Sequence, residues 1–438
     1  MAVYSINLQK DLQAREAFPR WHLDLPEQGQ NVDGALLNRE GLLFQGWVLN
    51  ESSSPIELVV LNGKDVVPLP FSRSRPDVIT KVLNEPAEKH PQLYCGFSKR
   101  VILMHASFSL GIIKDGKFTQ LLTGTIEGKF QILKGGEGWL FLNNDTNKSI
   151  EQHTGKFRLS RSVKAQWKEY LGALDHYSRS NEIPVCLLVA PSKEMVYQQY
   201  YPHKFSKKAP INKLMELVPQ TLNFILPVKE LRNLDYRSFR VCDTHWTLHG
   251  ARIAAQLVTS KLSKKAIEEL EVFESDVYQN RRVSGDLGSK LYPPQFHGED
   301  SLISFNYRKT VIFDNNVDNF GRIICTFYEG ALINETLLLF GSSSSYTMFH
   351  YVTRLYSAVV FVHTAGNIDH KVIDKVKPDC ICLQTNARFV VKAPSFNSSV
   401  LEYIEAKKKG KAIKPPTVAK TLPKESEAYI EYFKQMLR

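Results

Sequence analysis

The chain has 438 residues, 43% of them apolar and 23% charged, which is too long for one ordinary core and predicts two domains. Its net charge of +11 suits anionic partners such as an acidic polysaccharide, a phosphate-bearing donor or a membrane surface, and equally suits a basic surface with no such partner. No window carries the roughly eighteen uninterrupted apolar residues of a membrane span, and no RNP, zinc-finger or helix-turn-helix signature points to nucleic acid.

Residues 1–24 mix charge with apolarity and lack the apolar stretch of a signal peptide, so a cytoplasmic protein is expected, with residues 1–32 as an N-terminal extension. Residues 33–130 read as β-rich. Short alternating runs (42–49, 56–61, 101–104) are separated by the turns Asn62-Gly63-Lys64-Asp65 and Lys114-Asp115-Gly116-Lys117. That spacing predicts a small sandwich, which could bind carbohydrate or only pack against its neighbour.

The pattern changes near residue 131. Arg161 to Ser178 has helical spacing, with Val163, Trp167, Tyr170, Leu171 and Leu174 on one face. Continuous apolar runs at 184–190, 337–340, 358–362 and 380–383 read as buried parallel strands. Apolar strands alternating with amphipathic helices predict an α/β domain over 131–405, with a mostly parallel sheet flanked by helices. A polar, partly β-rich insertion is expected near 264–335, with strand-like runs at 303–305 and 310–313. Residues 406–438 read as a basic linker, with lysines concentrated in 407–414, and a terminal helix from Glu425 to Leu437. The linker is either solvated or a contact for anionic lipid at the inner membrane.

The six cysteines (Cys95, Cys186, Cys242, Cys325, Cys380, Cys382) have no metal-ligand spacing and read as free thiols in apolar runs. Chemistry concentrates elsewhere. Asp243-Thr244-His245-Trp246-Thr247 pairs a carboxylate with an imidazole two residues on, ahead of a helical stretch. Such a pair can charge and orient a general base; it can also be a helix cap beside a surface histidine. About a hundred residues later the run 337–340 enters Gly341-Ser342-Ser343-Ser344-Ser345. A serine at a strand-to-helix turn can expose its hydroxyl and aim its N–H at an oxyanion; the same residues could form a plain polar turn.

With Gly138-Trp139-Leu140-Phe141-Leu142, Ala190-Pro191-Ser192-Lys193, Gly285-Asp286-Leu287 and Leu339-Phe340-Gly341-Ser342-Ser343, the Asp-Thr-His-Trp-Thr block resembles the SGNH-hydrolase-like O-acetyltransferases of bacterial polysaccharide pathways, typified by the alginate acetyltransferases. The blocks fall in the family's order between residues 135 and 394. The resemblance implies an SGNH-like fold, Ser343 as nucleophile, His245 as general base and Asp243 as its orienting acid. Ser342 stands where the family has Asp or Thr, which leaves Ser344 as the rival to Ser343. It further implies Ser344, Gly366, Asn367, Arg388, Lys193 and Trp246 as oxyanion or substrate-binding candidates, Arg388 with a structural ion pair as its alternative. No metal and no permanently bound cofactor are expected. Acetyl-CoA is the expected donor, and a capsular or lipopolysaccharide glycan the acceptor before export. The same triad would serve a polysaccharide acetylesterase, and a non-catalytic glycan-binding scaffold is the third reading.

Overall fold

The structure, a computed structural model, describes residues 3–12, 18, 20–51, 54–128, 132–263, 272–410 and 413–438. The chain divides into two units: Met1–Ile132 with Asp286–Phe296, and Leu133–Gly285 with His297–Arg438.

Two-residue periodicity builds the first unit. Strands β1 (Val3–Lys10), β2 (Trp21–Leu25), β3 (Asn31–Asp33), β4 (Leu42–Val48), β5 (Ile56–Asn62), β6 (Asp65–Pro68), β7 (Gly96–Val101), β8 (Ser107–Lys114) and β9 (Lys117–Gly128) form two sheets, ordered β3-β1-β9-β8-β5-β6 and β2-β4-β7. All their pairings are antiparallel. Along β4 burial alternates strictly, as a strand with one face on a core requires. Residues of both sheets, among them Tyr4, Ile6, Phe44, Phe97, Phe108 and Leu122, share one apolar core. Asp115 and Gly116 both take positive φ between β8 and β9, the conformation that matches hairpin twist. Two expectations change here. Residues 3–10, read as part of an extension, are β1 and pair with β9 over their length from Tyr4 to Lys10. The strand expected over 101–104 ends at Val101, and Ile102 and Met104 are exposed.

The second unit holds β10 (Val185–Ala190), β11 (Asn223–Ile225), β12 (Tyr278–Val283), β13 (His297–Leu302), β14 (Val311–Asp314), β15 (Ile323–Phe327), β16 (Ile333–Gly341), β17 (Tyr356–His363), β18 (Cys380–Asn386) and β19 (Thr417–Val418). Its eight-stranded sheet runs β11-β10-β18-β16-β17-β15-β14-β19. From β11 to β17 neighbours are parallel; from β17 to β19 they are antiparallel. The expected mostly parallel sheet is therefore mixed. The reason lies in the supposed insertion: β14 and β15 return along the edge of β17 as part of the sheet. Residues 303–305 form no strand, residues 264–271 and 411–412 lie outside the described residues, and β12 and β13 make a separate hairpin.

Helix α1 (Arg161–Ser180) covers the sheet through buried Trp167, Tyr170, Leu171 and Leu174, each contributing about 1.5–3 kcal/mol by burial. Further helices are α2 (Lys193–Val196), α3 (Leu248–Leu262), α4 (Ser345–Leu355) and α5 (Lys424–Gln435). Tyr429, Ile430 and Phe433 of α5 join the same core, so the terminal helix is integral to this unit. All six cysteines are free and buried. Among the described residues no helix is long and apolar enough to cross a membrane.

Candidate active site

Strands β10, β16, β17 and β18 are parallel, and their carboxyl ends deliver residues 191–193, 342–345, 364–367 and 387–388 to one edge of the sheet. The Asp243 loop reaches this edge through α3. Thr247 caps that helix, its Oγ1 accepting from the Gly250 N–H and donating to the Arg237 carbonyl. Asp243 is thus free of the capping role that sequence left open. Its Oδ1 instead accepts the His245 backbone N–H at 2.8 Å and lies 2.7 Å from His245 Nδ1. His245 Nε2 lies 2.9 Å from Ser343 Oγ.

Burial opposes charge on Asp243, but the hydrogen bond and charge of His245, with Arg240 at 4.0 Å, hold its carboxyl well below the usual carboxylate range. An ionised Asp243 accepts only, so Nδ1 carries the imidazole proton and Nε2 is left to accept from the Ser343 hydroxyl. Gly285 backs the acid: with φ +61°, it sits where a Cβ would come within 2.6 Å of the Asp243 Cβ.

The serine turn resolves by its partners. Gly341 admits the turn because a Cβ there would lie 2.2 Å from Ser345 Oγ. Ser344, the rival nucleophile, donates its hydroxyl to Asn386 Oδ1 at 2.9 Å and is buried. Gln384 Oε1 accepts from the Ser342 N–H, the Ser342 hydroxyl and the Ser345 hydroxyl, at 2.8, 2.8 and 2.9 Å. Its own amide donates to the Thr385 carbonyl at 2.7 Å, which fixes the side chain's direction. With its neighbours all engaged, Ser343 is the residue of the turn whose hydroxyl meets the histidine. It lies just before α4, whose N-terminal end favours negative charge. Sequence reading passed over Gln384 and Asn386. The available signal was two amide residues at the end of an otherwise apolar buried strand.

The remaining candidates are placed as follows. Trp246 is buried and donates its indole N–H to the Ser344 carbonyl and Thr347 Oγ1, both at 2.9 Å, tying the histidine loop to the serine turn. Lys193 is buried, with its ammonium on the backbone of residues 240–243. Gly366 has its carbonyl bound by the Tyr170 hydroxyl. The Asn367 side chain donates to the Thr364 carbonyl and accepts the Ser395 N–H, so it is spent on its own loop. Arg388 lines a small pocket of about 20 Å³ with Ser149, His153, Ser192 and Glu194. None of Gly366, Asn367, Arg388 and Lys193 lines the cleft onto which Ser343 and His245 open. Lys193 and Gly366 are buried away from the cleft, while half-buried Asn367 and Arg388 are turned to their own loop and to a separate pocket.

That cleft encloses about 690 Å³ and is walled by Arg240, Arg281, Arg308, Phe305, Tyr307 and Tyr346, with Ser301, Asn306 and Thr347 between them. It contains no carboxylate among its lining residues. Sequence reading missed the three arginines, which stand far apart in the chain and carry no local pattern.

An acid, an imidazole and a serine hydroxyl in one hydrogen-bonded line at the edge of a mixed α/β sheet form the arrangement that serine-dependent acyl-transfer chemistry uses on several folds. The chain belongs to the family of SGNH hydrolase-like acetyltransferase domains represented by AlgX, whose sequence model matches residues 132–358, just over half of the chain. No curated protein matches the sequence. Similar solved structures include Bacillus cereus PatB1 (11% identity, 62% of this chain and 98% of that one, TM-score 0.46). Others are the O-acetyltransferase domain of Pseudomonas putida AlgJ (14%, 64% and 99%, 0.39) and Pseudomonas aeruginosa AlgX (14%, 62% and 68%, 0.32).

Proposed function

We propose that this chain transfers acetyl groups from acetyl-CoA to hydroxyls of a capsular or lipopolysaccharide glycan through an acetyl-Ser343 intermediate. The observation that carries the reading is the unbroken line from Asp243 Oδ1 through His245 to Ser343 Oγ, with steps of 2.7 and 2.9 Å, opening on a cleft.

His245 Nε2 takes the Ser343 hydroxyl proton as Oγ attacks the thioester carbon. The C–S bond breaks, and the imidazolium returns the proton to the leaving thiolate. A sugar hydroxyl then gives its proton to Nε2 and attacks the acetyl carbon, and Ser343 Oγ leaves with that proton. Asp243 keeps the imidazole in the tautomer both steps require and stabilises its charged form. The Ser343 N–H, at the start of α4, is the oxyanion donor of this scheme.

The lining of the cleft supports the reading for both substrates. Three arginines and no acid suit phosphates of the donor or acid groups of an anionic glycan. Phe305, Tyr307 and Tyr346 offer apolar ring surfaces beside Ser301 and Asn306, a mixture that suits sugar faces and their hydroxyls. Acetyl-CoA is made in the cytoplasm, so the proposed setting is cytoplasmic, ahead of glycan export.

Mass spectrometry of the protein after exposure to acetyl-CoA tests the scheme. An acetyl adduct on Ser343, discharged by added saccharide with acceptor-dependent release of CoA, is the expected result. Acetyl release to water from an acetylated polymer, with no transfer to saccharide, would assign the same residues to an esterase. Absence of any adduct or turnover, with glycan binding retained by Asp243→Ala, would make the protein a binding module.

A further inference from the structure

The Ala190-Pro191-Ser192-Lys193 block ends β10 and begins α2, and its lysine points into the protein at 3% exposure. The ammonium donates to the carbonyls of Arg240 at 3.1 Å, Val241 at 3.1 Å and Asp243 at 2.8 Å. The rings of Trp139 and Phe141 lie 5.5 and 5.0 Å from it, within cation–π range. The Leu140 N–H, between those two rings, donates to the same Val241 carbonyl at 3.1 Å. Removing an ammonium from water is costly unless its donors are matched. Here one charged group gathers the carbonyls of Arg240, Val241 and Asp243 itself, the residue that orients His245.

We propose that Lys193 is a positioning residue for the reaction: its ammonium sets the backbone of residues 240–243 so that the Asp243 carboxylate meets His245 Nδ1. The inference rests on the reading of Ser343 and His245 given above. A tetrahedral ammonium can address three converging carbonyls from one point, whereas a planar guanidinium presents its donors in one fixed fork. A methionine fills similar space and donates nothing. The loop is then free to turn Asp243 from the imidazole, and a displacement of about 1 Å at a reacting group costs roughly a hundredfold in rate.

The test uses the full chain with phenylmethylsulfonyl fluoride, so no natural substrate is needed. Ser343 Oγ attacks sulfur, fluoride leaves, and the hydroxyl proton passes to His245. Adduct formation is followed by mass spectrometry for wild type, Lys193→Met and Lys193→Arg. Proton NMR follows the low-field resonance of the proton between Asp243 and His245, and thermal unfolding monitors the fold. Wild type is expected to be modified at Ser343 and to show the resonance. Lys193→Met should unfold cooperatively, react about a hundredfold more slowly, and lose the resonance. Lys193→Arg keeps the cation, and should show the resonance with a rate between the two. It also carries the test if the methionine variant does not fold. Slow reaction with the resonance intact in Lys193→Met would show that Lys193 does not act through the Asp243–His245 contact, and a wild-type rate and resonance in a variant that merely melts earlier would assign Lys193 to stability alone; either result overturns the proposal. If wild type itself gains no adduct at Ser343, the reading of the site falls first, and the inference with it.

Discussion

The two units differ most in what they bury. Among the described residues, the buried polar side chain of the β unit is Asn62. It closes a loop, accepting the His105 N–H at 2.9 Å and donating to the carbonyls of His105 and Ser107 at 2.9 and 2.8 Å. The α/β unit buries Lys193, Asp243, Ser342, Ser344, Ser345, Gln384 and Asn386 around one edge of its sheet. A sandwich core needs only apolar faces and a few matched turns. A site that must hold a hydroxyl against an imidazole needs donors and acceptors inside the protein, each partnered so that burial is tolerable. Buried polarity, more than strand or helix content, separates the two.

This contrast can be broken or sharpened experimentally. The largest effect is expected from Ser343→Ala, which should lower acetyl transfer by about four orders of magnitude or more while leaving the melting temperature nearly unchanged. Transfer at the wild-type rate would remove Ser343 from the chemistry. Next is Gln384→Leu, which strips the acceptor from three donors of the serine turn. It should cost about 2–3 kcal/mol of stability in urea titrations, and slow Ser343 acylation by roughly tenfold to a hundredfold among folded molecules. An unchanged acylation rate would make the network a stability device only. Asn62→Leu, its counterpart in the β unit, should cost about 1–3 kcal/mol with no change in acylation of folded protein. A slower reaction there would contradict the division drawn above.

The last expected effect concerns acid and leaves the chemistry at neutral pH untouched. Burial pushes the His363 imidazole down to about 4, with Arg322 and Lys407 adding to the shift. Burial likewise takes His153 and His350, all in the α/β unit, down to about 4. Below about pH 6.5 the unfolded chain binds protons that the folded chain refuses. Stability is therefore full above that pH and declines as pH falls toward 4. Replacing His363 with Gln should flatten this decline in denaturant titrations between pH 7 and 4.5; an unchanged slope would exclude His363 as a contributor.

Much of the architecture was legible because burial writes itself into sequence. The runs at 184–190, 358–362 and 380–383 correspond to β10, β17 and β18, and the face of Trp167, Tyr170, Leu171 and Leu174 to α1. Strand β1 was missed although Tyr4 and Ile6 alternate with more exposed neighbours. Without its partner β9, eight residues of alternation look like any mixed terminus. The antiparallel edge was missed because β14 and β15 are short and sit within polar sequence. Whether such strands join a sheet depends on an edge that only the fold provides. At the site, residue types and order were readable, and the family resemblance pointed to Ser343 while leaving Ser344 as its rival.

By itself the sequence set Asp243 two residues before His245, a separation that lets one carboxylate oxygen meet both the backbone N–H and the ring. It also determined that a serine-rich turn follows a buried strand. Only the tertiary structure decided which serine faces the imidazole, because Gln384 and Asn386 on a neighbouring strand occupy the others. It decided, too, that Lys193 lies under the acid's backbone rather than in the cleft, and that Gly366, Asn367 and Arg388 turn elsewhere. The physical reason is common to all of these. A polar side chain goes where its hydrogen bonds can be satisfied, and for residues distant in the chain those partners exist only once the sheet has formed.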